Sequence, residues 1–466
     1  MTGHSPTSPT SPTAGHRTTR VLLASTLYGA ATLAAAVDAG CFDPVDRSVL
    51  LIANNAANPE TTTPVDRMPG FEQLRGRFDE LRSWNAAIAP FHPGAWSPRT
   101  DDLPLWERYL RLEWGLGDDR VELVVESIQV EPALAVTRIF TGAPVDVYAD
   151  GLMSYGPTRN KLDPLVGTRI RRLLHLDLVP GLTPLLLTEF DVAPQVVPAE
   201  AFLKVLAQLA DATDHLPEPA PATPPEAPAL LLGQYLSALD ILDAAEEEQL
   251  HLRMLRGAVA LGHRRIVFKP HPTAPARSSR LLEEEAARSG VALLVLDAPV
   301  LAEVLYQRMR PALVVGCFST ALLTASTLYG LPVARVGTEL LLERLTPYQN
   351  SNRVPVTLVD ALLPELADRA AVEAQSVRSA AAGLGGLVTA VGYAMQPRLH
   401  PELRPDAEAY LSTRLDAHTR RYFKRRRLTA LGLPGAVPAQ LAFIPRSARL
   451  RRAVRRARTL KRSVRR

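Results

Sequence analysis

Residues 20–55 read RVLLASTLYGAATLAAAVDAGCFDPVDRSVLLIANN, a pattern of strand, helix and strand. The apolar run RVLLAST is followed by the alanine-rich, helix-like segment LYGAATLAAAVDAG and then by a second apolar run, SVLLIANN. Two consecutive strands joined through a helix lie parallel in one sheet, because an antiparallel pair needs only a short turn. This stretch therefore predicts an α/β protein built on a parallel sheet.

The same alternation continues through the first half of the chain. Hydrophobic periodicity predicts helices over 71–88 and 103–116, strands over 120–128 and 144–151, and helix-like stretches over 163–175 and 199–213. We expect these elements to complete a first Rossmann-like domain over residues 20–215. The Ser/Thr/Pro-rich residues 1–19, which include TSPTSPTSPT, cannot contribute to a core and are predicted to be disordered.

A proline-rich segment separates this half from the next. PEPAPATPPEAP, residues 217–228, has six prolines in twelve positions, which is typical of a semi-rigid linker. Apolar strands and helices alternate again after it, as in ALLLGQYLS, RRIVFKP, VALLVLD, ALVVGCFS and GLPVARVG with helical segments between them. We predict a linker over 216–228, a second doubly wound domain over 229–400, and a C-terminal helix with a basic tail over 401–466.

Composition and charge limit the possible function classes. The chain has 466 residues, of which 47% are hydrophobic and 22% charged, as in a globular protein of about two domains. From Arg420 onward it has 17 Lys and Arg residues and no acidic residue, whereas the rest carries 36 basic and 48 acidic residues. The acidic body argues against a nucleic-acid-binding protein. Cys41 and Cys317 lie in different halves and predict free thiols in a reducing compartment.

The sequence also predicts how the chain relates to membranes. No apolar run reaches the roughly 18–20 residues of a membrane span. Residues 21–37 are the nearest candidate, but a strand-to-helix turn within them, the Ser/Thr/Pro-rich stretch before them and the strand after them argue against a signal peptide. In the tail, five apolar residues recur every three or four positions among arginines: Leu450, Val454, Ala457, Leu460 and Val464. We expect a cytoplasmic protein whose tail adsorbs to the anionic inner face of the cell membrane. A solvated tail and contact with nucleic acid are the alternatives.

Two segments of the second half predict an anion site. RRIVFKPHPT ends a strand on two prolines with His271 between them, so the imidazole lies at the end of the strand. The segment LVVGCFSTALLTASTLYG turns at Gly316 and opens a helix on Ser319 and Thr320, whose hydroxyls suit a phosphate. The ordinary alternatives are a sheet-edge histidine and two helix caps.

The first half offers a matching acidic group. In VDVYADG, Asp150 and Gly151 follow a strand, where the glycine permits a tight turn and close approach of a substrate. Asp150 would deprotonate an acceptor hydroxyl, while His271 protonates a leaving phosphate. That division of labour suits an inverting transfer from a nucleotide donor. An Asp-Gly pair is also a common turn, which is the plain alternative.

Several other side chains are weaker candidates. On the donor side these are Lys269, which is solvated in the ordinary case, and Pro272, Gly233 and Gln234. On the acceptor side they are Gly151, Asn54 and Asn55, with Arg159 and Lys161 available to an anionic acceptor or simply exposed. The histidines lack the spacing of metal ligands, so we expect no metal and no cofactor.

These residues resemble the bacterial alpha-2,8-polysialyltransferases and related CMP-sialic-acid-dependent sialyltransferases. That family has a D/E-D/E-G motif, an HP motif and a later S/T pair, matched here by residues 149–151, by His271 and Pro272, and by Ser319 and Thr320. The resemblance covers residues 20–400. It implies a GT-B fold with two Rossmann-like domains facing a cleft, and bacterial cell-surface polysaccharide biosynthesis. It also implies a CMP-linked sialic or other nonulosonic acid as donor and a glycan as acceptor.

The first acidic position of the motif is Ala149 in this chain. In the family that carboxylate is generally assigned as the base, so the resemblance leaves three readings open here. Asp150 serves as the base, Asp146 reaches in from earlier in the strand, or transfer is impaired. A teichoic-acid-type glycerophosphotransferase and a catalytically silent glycan- or nucleotide-binding protein are the alternative functions.

Overall fold

The computed structural model describes residues 17–149, 151–213, 227–234, 236–271, 279–374 and 383–436. Within them the chain forms two fully parallel β-sheets. The strands of the first sheet are β1 (Thr18–Ala24), β2 (Arg47–Ile52), β3 (Glu80–Ser83), β4 (Arg120–Glu126), β5 (Val145–Ala149), β6 (Ile170–His175) and β7 (Ala193–Val196). Those of the second sheet are β8 (Ala229–Leu232), β9 (Arg265–Lys269), β10 (Ala292–Val295), β11 (Leu313–Gly316) and β12 (Val333–Arg335).

Helices connect and cover these strands. The helices that accompany the first sheet are α1 (Leu27–Asp38), α2 (Glu72–Arg75), α3 (Trp84–Ile88), α4 (Leu103–Glu113), α5 (Ala133–Ile139), α6 (Pro164–Gly167) and α7 (Ala199–Asp211). Those after the linker are α8 (Ala244–Ala260), α9 (Arg280–Ser289), α10 (Ala302–Met309), α11 (Thr320–Tyr329), α12 (Thr338–Arg344), α13 (Arg353–Leu362), α14 (Arg369–Glu373), α15 (Leu384–Met395), α16 (Arg404–Arg414) and α17 (Arg425–Leu431). None of the helices in these described ranges is long and apolar enough to cross a bilayer.

Both sheets reverse their strand order beside their own first strand. The order is β3-β2-β1-β4-β5-β6-β7 in the first sheet and β10-β9-β8-β11-β12 in the second. Connections on the two sides of β1, and of β8, leave in opposite directions, so a crevice opens at the carboxyl ends of the strands. This topology confirms the predicted fold class, a GT-B arrangement of two Rossmann-like domains.

One apolar core is continuous between the two domains. The alanines of α1 are almost completely buried, and their small size lets the helix lie close to its neighbours. Helix α7 packs against both α1 and α10, which joins the first sheet to the second domain. A second core covers the other face of the first sheet and contains Trp84 and Trp114. Both cysteines, Cys41 and Cys317, are buried free thiols, as predicted.

The C-terminal helices return to the first domain and brace the cleft. Helix α13 packs against the 3₁₀ turn Leu152–Tyr155, which directly follows β5. After α15, the Gln396 side chain donates a hydrogen bond to the backbone oxygen of Arg159. The segment that follows β5 is therefore held against the second domain.

The predicted helix over 71–88 is wrong. The structure has only the four-residue α2, then the edge strand β3, then α3. β3 pairs in parallel with β2, and Asp79 accepts hydrogen bonds from the backbone N–H (2.7 Å) and hydroxyl (2.8 Å) of Ser48. Pairing with β2 overrides the amphipathic helical pattern, because intrinsic propensity is weak beside tertiary contacts.

The predicted helix over 163–175 is also wrong, for the same reason. The short α6 ends at Gly167, and Ile170–His175 forms β6, which pairs with β5 on one side and with the unpredicted β7 on the other. At the N-terminus, β1 begins at Thr18, inside the segment predicted as disordered, while residues 1–16 lie outside the described part of the chain. Residues 214–226, which include most of the linker predicted over 216–228, and the basic tail from 437 also lie outside it.

Candidate functional site

A cavity of about 450 Å³ lies between the two domains at the carboxyl ends of their strands. The first domain contributes Thr26, Tyr28 and the segment Gly151–Met153 to its wall. The second domain contributes residues from the ends of β8, β9 and β11 and from α10, among them Gly233, Gln234, Lys269, His271, Glu303, Ser319 and Thr320. Residues from all three sequence motifs thus line one cavity.

His271 lies two residues beyond β9, where Pro270 interrupts the ladder and turns the chain into the cleft. The ring opens onto the cavity, yet the surrounding protein lowers its pKa by desolvation and, to a smaller extent, by the positive charge of Lys269. The carboxylate of Glu247 acts in the opposite direction and raises the pKa. The neutral imidazole can still donate one hydrogen bond, and a bound phosphate would favour its protonated form. Pro272 lies outside the described residues.

Lys269 is buried, not solvated. The last residue of β9, it has only 6% of its surface exposed, and its Nζ donates a hydrogen bond to the Ala298 carbonyl at 3.0 Å. Burial lowers its pKa to about 8, although the nearby Asp297 opposes that shift. A buried ammonium group in the wall of a cavity is a strong attractor for an anion.

Ser319 and Thr320 begin α11 at the opposite wall. Ser319 is the N-cap, and its hydroxyl accepts a hydrogen bond from the Ala321 N–H at 3.3 Å. The amide oxygen of Gln234 accepts the N–H of Phe318 at 2.8 Å, so the end of β8 is tied to the residue just before the cap. Gly233 itself packs closely against β9, since a Cβ there would lie 2.9 Å from the ring of Phe268.

Gly151 joins this arrangement from the first domain. Its backbone is extended, so the glycine is not needed for an unusual φ angle. It is needed for space, because a Cβ at residue 151 would fall 2.5 Å from Oγ1 of Thr320. The same hydroxyl accepts a long hydrogen bond, 3.4 Å, from the N–H of Leu152. Asp150 itself lies outside the described residues, between the buried Ala149 and Gly151.

The structure does not bring Asp146 into the cavity. Its fully buried carboxylate forms ion pairs with Arg171 and Arg172 of β6, both at 2.9 Å. It lies near the beginning of β5, whereas the cavity is at the carboxyl end of that strand. Of the two carboxylates considered for the base, only Asp150 is next in sequence to a residue of the cavity wall, Gly151.

Sequence reasoning missed Glu126, the last residue of β4. One of its oxygens accepts hydrogen bonds from the backbone N–H (3.0 Å) and hydroxyl (2.8 Å) of Ser25, the residue before the cavity-lining Thr26. In the sheet it lies opposite Tyr148, one residue before the position of the missing motif carboxylate, Ala149. A signal did exist, because an acidic residue ending a strand beside a topological switch point borders the crevice.

A second missed acid, Glu303, is almost completely buried at the start of α10 and lines the cavity. Its Oε1 accepts the Thr324 hydroxyl at 2.7 Å, and burial raises its pKa. Nothing in the sequence marks it, since AEVLYQRM reads as an ordinary amphipathic helix.

The two asparagines after β2 have different surroundings. Asn54 supports its own loop, because its Nδ2 donates to the carbonyls of Pro59 and Thr62 at 3.0 and 3.1 Å. It also lines a second hollow of about 470 Å³ at the ends of β2 and β3, together with Arg67 and Arg82.

The remaining acceptor-side candidates are exposed: Asn55, Arg159 and Lys161. Among the residues described, no group of three or more His, Cys, Asp or Glu side chains is arranged to hold a metal ion. The expectation of a metal-free, cofactor-free site stays a prediction.

Comparison with known proteins identifies a family whose sequence profile matches this chain. The profile of the family described as alpha-2,8-polysialyltransferase (POLYST) matches residues 20–338, which is more than half of the chain. A search of curated protein sequences finds no match.

Among solved structures, an O-GlcNAc transferase mutant from Thermobaculum terrenum is 17% identical, with 90% of this chain and 70% of that chain covered and a TM-score of 0.36. MurG from Acinetobacter baumannii is 11% identical, with 78% and 94% covered and a TM-score of 0.40. A sialyltransferase from Photobacterium damselae is 11% identical, with 74% and 96% covered and a TM-score of 0.39.

Proposed function

Since the chain belongs to the alpha-2,8-polysialyltransferase family and is a glycosyltransferase, we propose that it transfers sialic acid or a related nonulosonic acid from a CMP-activated donor to an acceptor glycan, with inversion. The observation that carries this proposal is the convergence of Gly151, His271 and Thr320, which are far apart in the chain, on one cavity. Each comes from a different motif of the family.

The second domain would bind the donor. Its phosphate would lie among the hydroxyls of Ser319 and Thr320, the N–H groups at the start of α11, and the buried ammonium of Lys269. His271 would donate a hydrogen bond or a proton to the phosphate as its bond to the sugar breaks. Glu303, at the cavity wall, would accept hydrogen bonds from hydroxyl groups of the donor substrate. These groups stabilise the leaving anion without requiring a metal ion.

The first domain would bind the acceptor. Asp150 is our choice for the base that removes the proton from the acceptor hydroxyl, because it directly precedes Gly151 at the cavity. Glu126 is the second candidate, since it lies at the end of the neighbouring strand. The hollow beside Asn54, with two arginines in its wall, would hold a more distant, negatively charged part of the acceptor.

The basic tail would bring the enzyme to its acceptor. Residues 437–466 contain many arginines and no acidic residue, and their apolar spacing predicts an amphipathic helix. We propose that this tail holds the enzyme at the anionic cytoplasmic surface of the membrane. Glycans attached to lipids would be presented at that surface.

CMP release tests the proposed reaction. Purified protein would be incubated with CMP-sialic acid and acceptor glycans, alone and as the His271→Ala variant, beside the exposed-histidine control His418→Ala. We expect release by the wild type and the control and a loss of about a hundredfold or more in His271→Ala.

Two other outcomes would contradict the proposal. Release of CMP from CDP-glycerol but not from CMP-sialic acid would indicate a glycerophosphotransferase. Binding of CMP without turnover of either donor would indicate a catalytically silent binding protein, the reading that Ala149 leaves open.

A further inference from the structure

Glu247, near the start of α8, accepts three hydrogen bonds through the two oxygens of its carboxylate. The residue is 6% exposed, and Oε1 accepts the N–H of Leu236 at 2.6 Å. Oε2 accepts both the N–H (3.1 Å) and the hydroxyl (2.7 Å) of Ser237. A buried carboxylate that accepts three hydrogen bonds has its oxygens satisfied by the protein in place of water.

The backbone that Glu247 binds belongs to the segment that leaves β8 at the cavity. Gly233 and Gln234, which open this segment, line the cavity wall. The Gln234 side chain in turn accepts the N–H of Phe318, which precedes the Ser319 cap. Hydrogen bonds thus tie Leu236 and Ser237 to α8, and tie the nearby Gln234 to the start of α11.

Glu247 also faces the charged groups at the cavity. Its negative charge acts on His271, on which the positive charge of Lys269 also acts. His251, one helical turn further along α8, is buried against the ring of Phe268 at a centroid distance of 5.1 Å. Neither ring nitrogen of His251 has a hydrogen-bond partner among the described residues. Glu247 is therefore a buried carboxylate whose charge acts on both His251 and His271.

We propose that Glu247 is a positioning residue for the donor site: it holds the backbone of Leu236 and Ser237, just beyond the cavity-lining Gly233 and Gln234, in place beside the start of α11. The inference rests on the proposed function, in which His271 and the start of α11 bind the donor phosphate. No motif of the sequence marks this residue, which lies within the run AAEEEQLHLR.

The pH dependence of donor turnover distinguishes the effect of losing the hydrogen bonds of Glu247 from the effect of losing its charge. In Glu247→Gln the charge is lost, and a single amide oxygen replaces the two oxygens that accept the three hydrogen bonds from Leu236 and Ser237. We therefore expect kcat/KM for the donor substrate to fall by about tenfold at neutral pH. The alkaline limb of its pH profile should also shift to lower pH, because His271 loses its anionic neighbour. In Ser237→Ala one hydrogen bond to Glu247 is lost but the charge of Glu247 remains. We therefore expect the rate to fall while the alkaline limb of the pH profile stays at the wild-type pH.

Two further variants complete the test. Glu285→Gln, which removes an equally buried carboxylate of the same domain that pairs with Arg256, should match the wild type. Glu247→Asp keeps the charge and replaces Glu247→Gln if that variant does not fold; its rate should fall with the limb unshifted. A profile of Glu247→Gln that overlays those of the wild type and Glu285→Gln would overturn the proposal. If the wild type neither binds CMP nor releases it from the donor, the proposed function itself fails, and this inference with it.

Discussion

Gly151 and Thr320 touch across the cleft between the two domains. The Thr320 hydroxyl lies 2.5 Å from the point where a Cβ of residue 151 would be, and it accepts the N–H of Leu152 at 3.4 Å. The acidic-Gly motif of the first domain and the hydroxyl pair of the second are therefore in direct contact. Gly151, which follows the proposed base in the sequence, thus lies against Thr320, one of the proposed phosphate ligands.

Gly151→Ala tests this contact. A methyl group at 2.5 Å from Oγ1 forces the two segments apart, so we expect kcat/KM to fall by about tenfold or more and the melting temperature to drop by a few degrees. Gly142→Ala is the matched control, because it has open space around it and should change neither quantity. Adding Thr320→Ala to Gly151→Ala removes the clashing hydroxyl and should restore the melting temperature. No recovery in the double variant would argue against the contact.

Thr320→Val tests the hydroxyl itself. Valine keeps the shape of the side chain and removes one hydrogen-bonding group from the start of α11, so the Kd for CMP should rise by about tenfold. Isothermal titration calorimetry would measure it. Ser326→Ala on the same helix, whose hydroxyl donates a hydrogen bond to the Leu323 carbonyl of that helix, should leave the Kd unchanged. Equal Kd values in the wild type and Thr320→Val would exclude a phosphate role for this group.

Lys269 predicts how CMP affinity depends on pH. Burial holds its pKa at about 8, so the ammonium is mostly charged at pH 7 and mostly neutral at pH 9. CMP should therefore bind about tenfold more weakly as pH rises through this range, since a charge-assisted hydrogen bond is lost. Lys269→Met should bind weakly and show little of this pH dependence. The exposed Lys204→Met on α7 serves as the control and should follow the wild type.

The same lysine makes a prediction for stability. Its pKa is about 8 in the folded state and 10.5 in a solvated reference, so folding disfavours the charged form. The resulting cost is fully present below pH 8, decreases as pH rises, and disappears above about pH 10.5. Lys269→Met should therefore gain stability relative to the wild type at pH 6–7 and lose that advantage toward pH 10. Chemical denaturation across this range measures the difference, and an advantage that grows with pH would contradict the burial of a charged lysine.

Asp150 and Glu126 can be distinguished as bases. Asp150→Asn should lower kcat by at least about a hundredfold, because the acceptor hydroxyl keeps its proton. Glu126→Gln can keep its hydrogen bonds to Ser25 while losing its charge, so kcat should stay within about threefold of the wild type. The reverse pattern would assign the base to Glu126. Single-turnover CMP release measures the chemical step in each variant.

Removal of residues 437–466 tests the membrane role of the tail. The shortened chain should lose binding to vesicles that contain anionic lipid but keep CMP release with a soluble acceptor, because the described site lies entirely before residue 437. Cosedimentation with anionic and with neutral vesicles measures this. If the full chain binds neither kind of vesicle, the tail has another role.

Local patterns in the sequence were sufficient for the class of fold. The first strand, the alanine-rich α1 and the second strand are read from short-range periodicity, and a helical crossover leaves little choice but a parallel sheet. The strand end at His271 and the helix cap at Ser319 are likewise predicted from the residues directly beside them. These features depend on neighbours within a few positions, so they are visible in a single sequence.

Only the tertiary structure decided which amphipathic segments became strands and which polar groups share a cavity. Residues 80–83 and 170–175 carry patterns that suit a helix, and pairing with β2 and β5 made them strands. The burial of Lys269 and the contacts of Glu126 and Glu247 depend on partners that the fold brings together from elsewhere. Burial and electrostatic environment are sums over all neighbours in space, and a linear sequence does not state those neighbours.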